Sequence, residues 1–461
     1  MKPGRPLLRA METELAVFVA GVLILGFAAL SPMNAQDGFA GQSFGFGFDD
    51  PEDPSGGGGG SLAVALDGEV SASLLGYADD FSEGADRTRL GDVFSGRLNF
   101  SAETSRASGV IKLKLQGAPS PIAIDEAYVA AYFGNLDIEG GLRKLAWGKA
   151  DSPGPLDVIN PLDNSEMTDL SDMMKLKIAR PLIHASYRIG SFSKIEAVFV
   201  PAFEPARLAG EGRWRPAQMA QLDQLEAAGA AITAPDTTTL NYAQAGARFA
   251  TTIGSADIGA QYYYGRLTKP AAAMTFAPAV PPSPLPSAVN FAYNPYHQIG
   301  VDWAQVLFGF NVRAEAAANI TEDLSGGDGA VYNPHLAWSF GFDRDLFWGV
   351  NLNLQANETI TLLRDKITDD PLLDIEAETD LSSTQIMAAL SKTFFREELE
   401  ARAAVLWELE AGDFMLAPSL VWTKDAVSIE LSGGIFGGDE EGRLGQYRNN
   451  GFVKAVLTYT F

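Results

Sequence analysis

From Leu62 onward, apolar and polar positions along the chain alternate with a period of two, the pattern of strands with one wet and one dry face. The final stretch, Gly451 to Phe461, shows it most simply. Val453, Ala455, Leu457, Tyr459 and Phe461 share one face, and Lys454, Val456, Thr458 and Thr460 share the other. The same alternation sets Arg97, Asn99, Ser101 and Glu103 against Leu98, Phe100 and Ala102, and Lys112, Lys114 and Gln116 against Ile111, Leu113 and Leu115. It recurs where Asn351, Asn353, Gln355 and Asn357 oppose Leu352, Leu354 and Ala356, and where Ser428, Glu430 and Ser432 oppose Val427, Ile429 and Leu431. The pattern predicts strands over 62–76, 93–104, 107–117, 121–133, 135–147, 179–189, 192–203, 241–252, 256–267, 297–308, 309–320, 333–342, 347–361, 383–395, 397–411, 412–424, 426–437 and 450–461. That makes about eighteen, with sixteen or fourteen left open by weak alternation in 121–133 and 412–424 and boundary errors of ~2–4 residues.

The connections between these strands alternate in length. Short ones fall near Ser105-Arg106, Gly134-Asn135, Gly190-Ser191, Gly254-Ser255, Gly309, Asp343 to Asp345, Phe395 to Glu397 and Asp425. The long stretches 77–92, 148–178, 204–240, 268–296, 321–332, 362–382 and 438–449 fall between them, with short exceptions near Pro119 and Gly412. Barrels that cross a bilayer have short turns at one rim and long loops at the other, and a strand of ~9–11 residues is enough to cross. The expected fold is therefore all-β: a transmembrane antiparallel β-barrel with long external loops. Trp147, Trp303, Trp338, Trp348, Trp407 and Trp422, with Tyr262 to Tyr264, lie near strand ends and are candidates for interfacial girdles.

Composition narrows the choice further. The 461 residues contain no Cys, which removes disulfides, a Cys nucleophile and a lipoprotein anchor. Apart from one N-terminal segment there is no apolar run long enough for a membrane helix. The net charge of −24 argues against nucleic acid as a partner. Residues 1–35 read as a secretory signal peptide, with Lys2, Arg5 and Arg9 before the apolar run Leu15 to Leu30 and cleavage expected after Ala35. A retained anchor is the other reading. Residues 36–61, rich in Gly, Phe and Asp, read as a flexible linker, and 62–461 as the barrel.

A terminal Phe461 preceded by alternating apolar residues resembles the C-terminal signature of Gram-negative outer-membrane β-barrel proteins. That resemblance implies an outer-membrane location, contact with outer-membrane lipid, and Tyr459 and Phe461 as a signal read by the barrel-assembly machinery. Trp147-Gly148 with Asp151, followed by Val158-Ile159-Asn160-Pro161 and Asp163, resembles a porin-like outer-membrane family known mainly as a domain of unknown function. In that family the segment after the strand forms a loop that folds towards the lumen. Where the family has Gln before Trp-Gly this chain has Arg143 and Lys144, so no ligand contact carries over.

Two readings stand for that loop: it packs on the wall and orders it, or Lys149, Asp151, Asp157, Asn160 and Asp163 form a constriction, since charged rings select solutes in wide pores. Strand parity makes Arg97, Glu103, Lys112, Lys114, His184, Arg188, Lys194, Glu196, Arg313, Glu315, Lys392, Arg402, Glu408 and Glu430 the candidate pore-lining charges. They either create a transverse field or pair to hold the wall. His184 and Ser186 share a face, but no third orienting group is identifiable, so the chain is not read as an enzyme. Glu204 to Thr239 contains a short amphipathic helix with Pro216 in its first turn, either covering the mouth or lying on the surface. Lys269 to Pro295, rich in Pro and Ala, is expected to be an external loop unable to form a ladder. No cofactor or metal motif is present. The expected function is an outer-membrane porin or porin-like channel passing small solutes, with a homo-oligomer left open. The alternatives are a plugged-barrel transporter of hydrophobic or lipid-like solutes and a surface adhesin or structural barrel.

Overall fold

The computed structural model describes residues 62–78, 94–116, 122–151, 153–169, 173–276, 286–377 and 379–461. The expected signal peptide and linker, most of the stretch 77–92 and the loop near Pro119 lie outside the described residues. Every predicted strand is present. In chain order they are β1 (Ala63–Tyr77), β2 (Phe94–Glu103), β3 (Ala107–Leu115), β4 (Ile122–Phe133), β5 (Leu136–Arg143), β6 (Arg180–Ile189), β7 (Ser193–Val200), β8 (Gln244–Ile253) and β9 (Ala256–Arg266). There follow β10 (Pro295–Leu307), β11 (Phe310–Thr321), β12 (His335–Asp345), β13 (Val350–Thr361), β14 (Ser382–Phe394), β15 (Leu399–Glu408), β16 (Asp413–Lys424), β17 (Val427–Gly437) and β18 (Phe452–Thr460).

Each strand pairs antiparallel with its neighbours in sequence, and β1 pairs with β18, so the 18-stranded sheet closes on itself. Closure leaves no open edge, which is the condition for a sheet to sit in hydrocarbon. Phe461 completes the seam by exchanging two backbone hydrogen bonds of 2.9 Å with Gly68. The outward parity is apolar and exposed around the ring: Leu66, Val70 and Leu74 on β1, Val301 on β10, Leu390 on β14, Ile429 and Leu431 on β17, and Leu457 and Tyr459 on β18. A belt of that extent is a lipid-facing surface. The inward parity carries the polar set. The fold is a transmembrane barrel, as the alternation predicts.

Register makes this testable. Leu457 faces outward opposite Ala72 and Ile429, while Val456 faces inward opposite Ser73 and Glu430. Leu457→Arg is expected to destabilise the barrel by roughly 2 kcal/mol or more, because a cation is forced into lipid. Val456→Arg, placed beside Glu430 in the lumen, should be nearly neutral. Urea midpoints of the two variants in liposomes check this, and equal losses would contradict the assigned faces.

Five expectations need correction. β5 ends at Arg143 rather than at residue 147, because Lys144 to Trp147 leave the sheet and turn inward. The sixth short turn is Leu346 to Gly349, since Asp343 and Asp345 still pair within the ladder. Lys392 faces outward, opposite Val350 and Ala401, with its ammonium 5.1 Å from the Phe394 ring centroid. Ala271–Phe276 and Pro286–Ala292 do form an antiparallel ladder, joined in parallel by Ala231–Thr233. Proline is tolerated there because Pro286 begins its strand at a break in register. Trp147 is buried inside the barrel, edge-on to Tyr263 at 6.4 Å, so it belongs to no girdle.

Candidate functional site: the lumen and its loops

The described residues of the segment 144–179, between β5 and β6, fold into the lumen. Its two limbs are tied by Asn160, whose Oδ1 accepts from Leu145 N at 2.8 Å while its Nδ2 donates to Arg143 O at 3.0 Å and Ile178 O at 2.8 Å. Lys177 closes the base by donating to Asp157 at 2.5 Å and to Leu145 O at 3.1 Å. Asp157 and Asn160 are thus turned into the loop's own interior and hold it together, rather than facing an open passage.

The loop is held against the wall of β6 to β13. Glu315 on β11 accepts from the backbone amides of Lys149, Ala150 at 2.7 Å and Leu156 at 3.2 Å. A carboxylate gathering three amides satisfies donors that would otherwise be orphaned in a dry contact. The fit requires glycine at 148, which has φ +99°, and at 154, because a Cβ at either position would collide with the Glu315 carboxylate. Asp151 accepts from Arg313 and from Asn353 at 2.7 Å, and its amide donates to Gln355 at 2.9 Å. Gln261 and Gln298 donate to Leu156 O and Pro155 O, each at 2.9 Å. Apolar contacts complete the dock. Trp147 and Ile159 pack with Leu182, Val198, Val200, Tyr263 and Tyr296.

Lys149 lies 3.8 Å from Asp257, and Asp163 pairs with Arg207 at 2.8 Å in the next loop. The remaining candidates face the interior by register, and most pair across neighbouring strands. Arg97 meets Glu69 at 3.7 Å, Lys112 meets Glu126 at 2.9 Å and Lys114 meets Asp125 at 2.9 Å. Arg188 meets Asp137 at 3.2 Å and Arg313 meets Asp343 at 2.7 Å, while Lys194 meets Glu196 along the same strand at 3.3 Å. His184 sits between Glu139 and Glu196 at 3.1 and 3.3 Å, not against Ser186. His184, Glu196 and Glu315 are buried, whereas Arg97, Lys112 and Lys114 keep about a third of their side chains exposed. Glu103 is exposed at the inner rim; Arg402 and Glu430 are half-exposed on the wall away from the loop. Glu408 pairs with Arg443.

Sequence parity finds charges but not their partners, and it misses several residues. Asp413 is fully buried at the start of β16, accepting from the amides of Asp439 and Leu444 at 2.9 Å and Gly445 at 3.2 Å. An Asp at a strand start facing the glycine-rich segment Gly437 to Gly442 is the signal that marks it. Trp214, from the loop 201–243, is buried among Met415, Phe436, Leu444, Tyr447 and Phe452. A lone Trp beside Pro216 gives no sign of that reach. The helix α1 (Ala217–Ala227) exists, but Pro216 is its N-cap rather than in its first turn, and it buries no residue.

On the external side, the loops after β11 and β13 join where Asn333 N donates to Glu376 at 2.7 Å, and the loop after β9 joins them where Tyr332 donates its amide to Asn294 at 3.1 Å and its hydroxyl to Pro270 O at 2.9 Å. Burial pushes the Glu376 carboxyl up and the nearby Lys269 ammonium down, while their mutual attraction opposes both shifts.

Neither a family model nor a curated protein matches the chain. The likeness of Trp147-Gly148 and Val158 to Pro161 to a particular porin-like family therefore goes no further than the barrel. Among solved structures, the chain is similar to OccK9 (OpdG) of Pseudomonas aeruginosa, at 8% identity and a TM-score of 0.48 over 87% of this chain and 98% of that one. It is also similar to Wzi, described as a carbohydrate-binding β-barrel involved in group 1 capsule assembly in Escherichia coli, at 12% identity and 0.45 over 86% and 84%. A third is the outer-membrane channel DcaP of Acinetobacter baumannii, at 12% identity and 0.41 over 87% and 98%. At these scores the likenesses carry no argument about site or solute, and the barrel is read from its own closed ladder.

Proposed function

We propose that the chain is an outer-membrane porin-like channel for the passive passage of small solutes. The observation that carries this reading is the asymmetry of the lumen. The inner loop is docked on β6 to β13 and touches the far side where Met167 packs against the cluster around Trp214 at the external end, so the rest of the opposite wall remains to bound a passage. There the inward side chains are small, hydroxylated or sparsely charged and partly exposed: Ala389 and Ser391, Ala404, Ser419, Ser432 and Thr458. A passage between a fixed loop and such a wall filters by size and charge without any chemical step. Arg97, Lys112, Lys114, Arg402 and Glu430 are the charges that set its ion preference; on the loop Asp163 stays half-exposed, whereas Asp151 is engaged by Arg313 and Asn353 and Lys149 lies beside Asp257. In this reading residues 1–35 direct export, and Tyr459 and Phe461 present the barrel to the assembly machinery.

One observation favours a second reading, a plugged transporter of hydrophobic solutes. Met387, Leu406, Met415, Val421 and Val456 also point inward, and the aromatic cluster around Trp214 lies at the external end. Conductance of the reconstituted chain separates the two. Steady ion flow supports the porin reading, and a folded barrel without conductance turns the choice to the plugged transporter.

A further inference from the structure

The loop 201–243 leaves the wall between β7 and β8, yet Trp214 is seated on β16, β17 and β18 with Tyr77 of β1. In the ring of eighteen strands these positions are diametrically opposed. The indole lies 5.3 Å from the Phe436 ring, 5.4 Å from Tyr447 and 6.4 Å from Tyr77, and its Nε1 donates to the Tyr77 hydroxyl at 3.3 Å. Tyr447 and Asn450 donate to the carbonyls of Trp214 and Arg213 at 3.1 and 2.8 Å, and Ala217 N donates to Gln446 at 2.9 Å. The chain then returns through α1, whose length covers about 16 Å, to the ladder of Ala231–Thr233 with residues 288–290 on the starting side.

Three features suit this segment to move as a body. Its root has fastenings of its own, since Arg180 holds Ala202 O and Glu204 O and Arg207 holds Asp163, although Ala209 at the end of the root also packs into the seat cluster. The helix between root and seat buries nothing, so the far contact rests on Trp214 and its immediate neighbours. Glycines in the left-handed region flank the body, Gly212 at φ +81° and Gly229 at φ +97°, each with open space around it. Such positions absorb backbone rotation at little cost.

We infer that residues 213–228 form a latch: with Trp214 seated the segment covers the mouth, and its release from the aromatic seat opens the path. This rests on the channel reading. The cysteine-free chain makes the test direct. Ala217→Cys and Gln446→Cys, bridged by a bis-methanethiosulfonate in the folded full chain, tie the latch down, and reductant frees it. In planar bilayers, bridging is expected to cut the time spent in the high-conductance state several-fold, reductant to restore it, and Trp214→Ala to lengthen it. Single-cysteine controls should show no such change. If bridged, reduced and Trp214→Ala proteins conduct alike, the latch is overturned while the channel stands. If none conducts although each migrates as a folded, heat-modifiable barrel, the channel reading fails and takes the latch with it.

Discussion

Glu315→Ala is expected to free the inner loop from the wall. The variant leaves the amides of Lys149, Ala150 and Leu156 without an acceptor in a buried contact, and each such donor costs ~1–3 kcal/mol unless water reaches it. A loss of roughly 3 kcal/mol or more is expected from the cooperative unit that includes the loop. Undocking should also relieve Asp151 and Arg313 of their alignment, because the loop carries one and the wall the other. Single-channel records of this variant are expected to show larger and noisier currents than the parent. Glu315→Gln keeps one acceptor oxygen in place and should fall between the two. Native-state hydrogen exchange at Lys149, Ala150 and Leu156 reads the same event without reference to transport. Protection unchanged in Glu315→Ala would show that the carboxylate does not hold the loop.

Asp413→Ala should have an effect of the same size at the external rim. This carboxylate is fully buried and takes the amides of Asp439, Leu444 and Gly445, fixing the loop that carries Leu444 and Tyr447. Gly438 and Gly442 lie against it so closely that a Cβ at either would collide with its side chain. Losing three buried acceptor contacts is again expected to cost roughly 3 kcal/mol. Because Leu444 and Tyr447 form part of the Trp214 seat, the variant should also expose that indole. A red-shifted emission and faster quenching from the region of Trp214, read in a background where the other tryptophans are replaced by Phe, checks the prediction. An unshifted spectrum would mean that the seat stands without this anchor.

The wall and the loops differ in how far they can be read from sequence. A strand in a bilayer has lipid on one side, so its outward residues must be apolar whatever lies within, and Leu98, Ile429 and Leu457 announce their faces without knowledge of the partner strands. The ends are less legible. Lys144 to Trp147 continue an acceptable alternation, but Asn160 captures the backbone at Arg143 and Leu145, and the chain turns inward. Lys392 is misread because Ser391 and Thr393 are polar too, and the register with Val350 and Ala401 alone decides the face. Interior charges such as Arg313 and Glu315 are visible as residue types on the right parity. Their work is not, because it depends on which backbone amides a loop from a distant part of the chain presents. Trp214 is the extreme case, a single aromatic whose partners lie far from it in sequence, 137 residues away at Tyr77 and 233 at Tyr447. For Ala271–Phe276, composition misleads in the other direction: small apolar residues form a ladder where a partner strand happens to be supplied.

In the proposed channel a water-filled path runs through the closed barrel beside the docked inner loop. Its most direct test is the single-channel conductance of the full chain refolded into planar bilayers, with the reversal potential measured under a salt gradient. Discrete, stable conductance steps are expected, with a reversal potential that moves when Arg97, Lys112 or Lys114 is neutralised. A folded, heat-modifiable barrel that passes no current, both as the parent and with Trp214→Ala, would contradict the proposed channel.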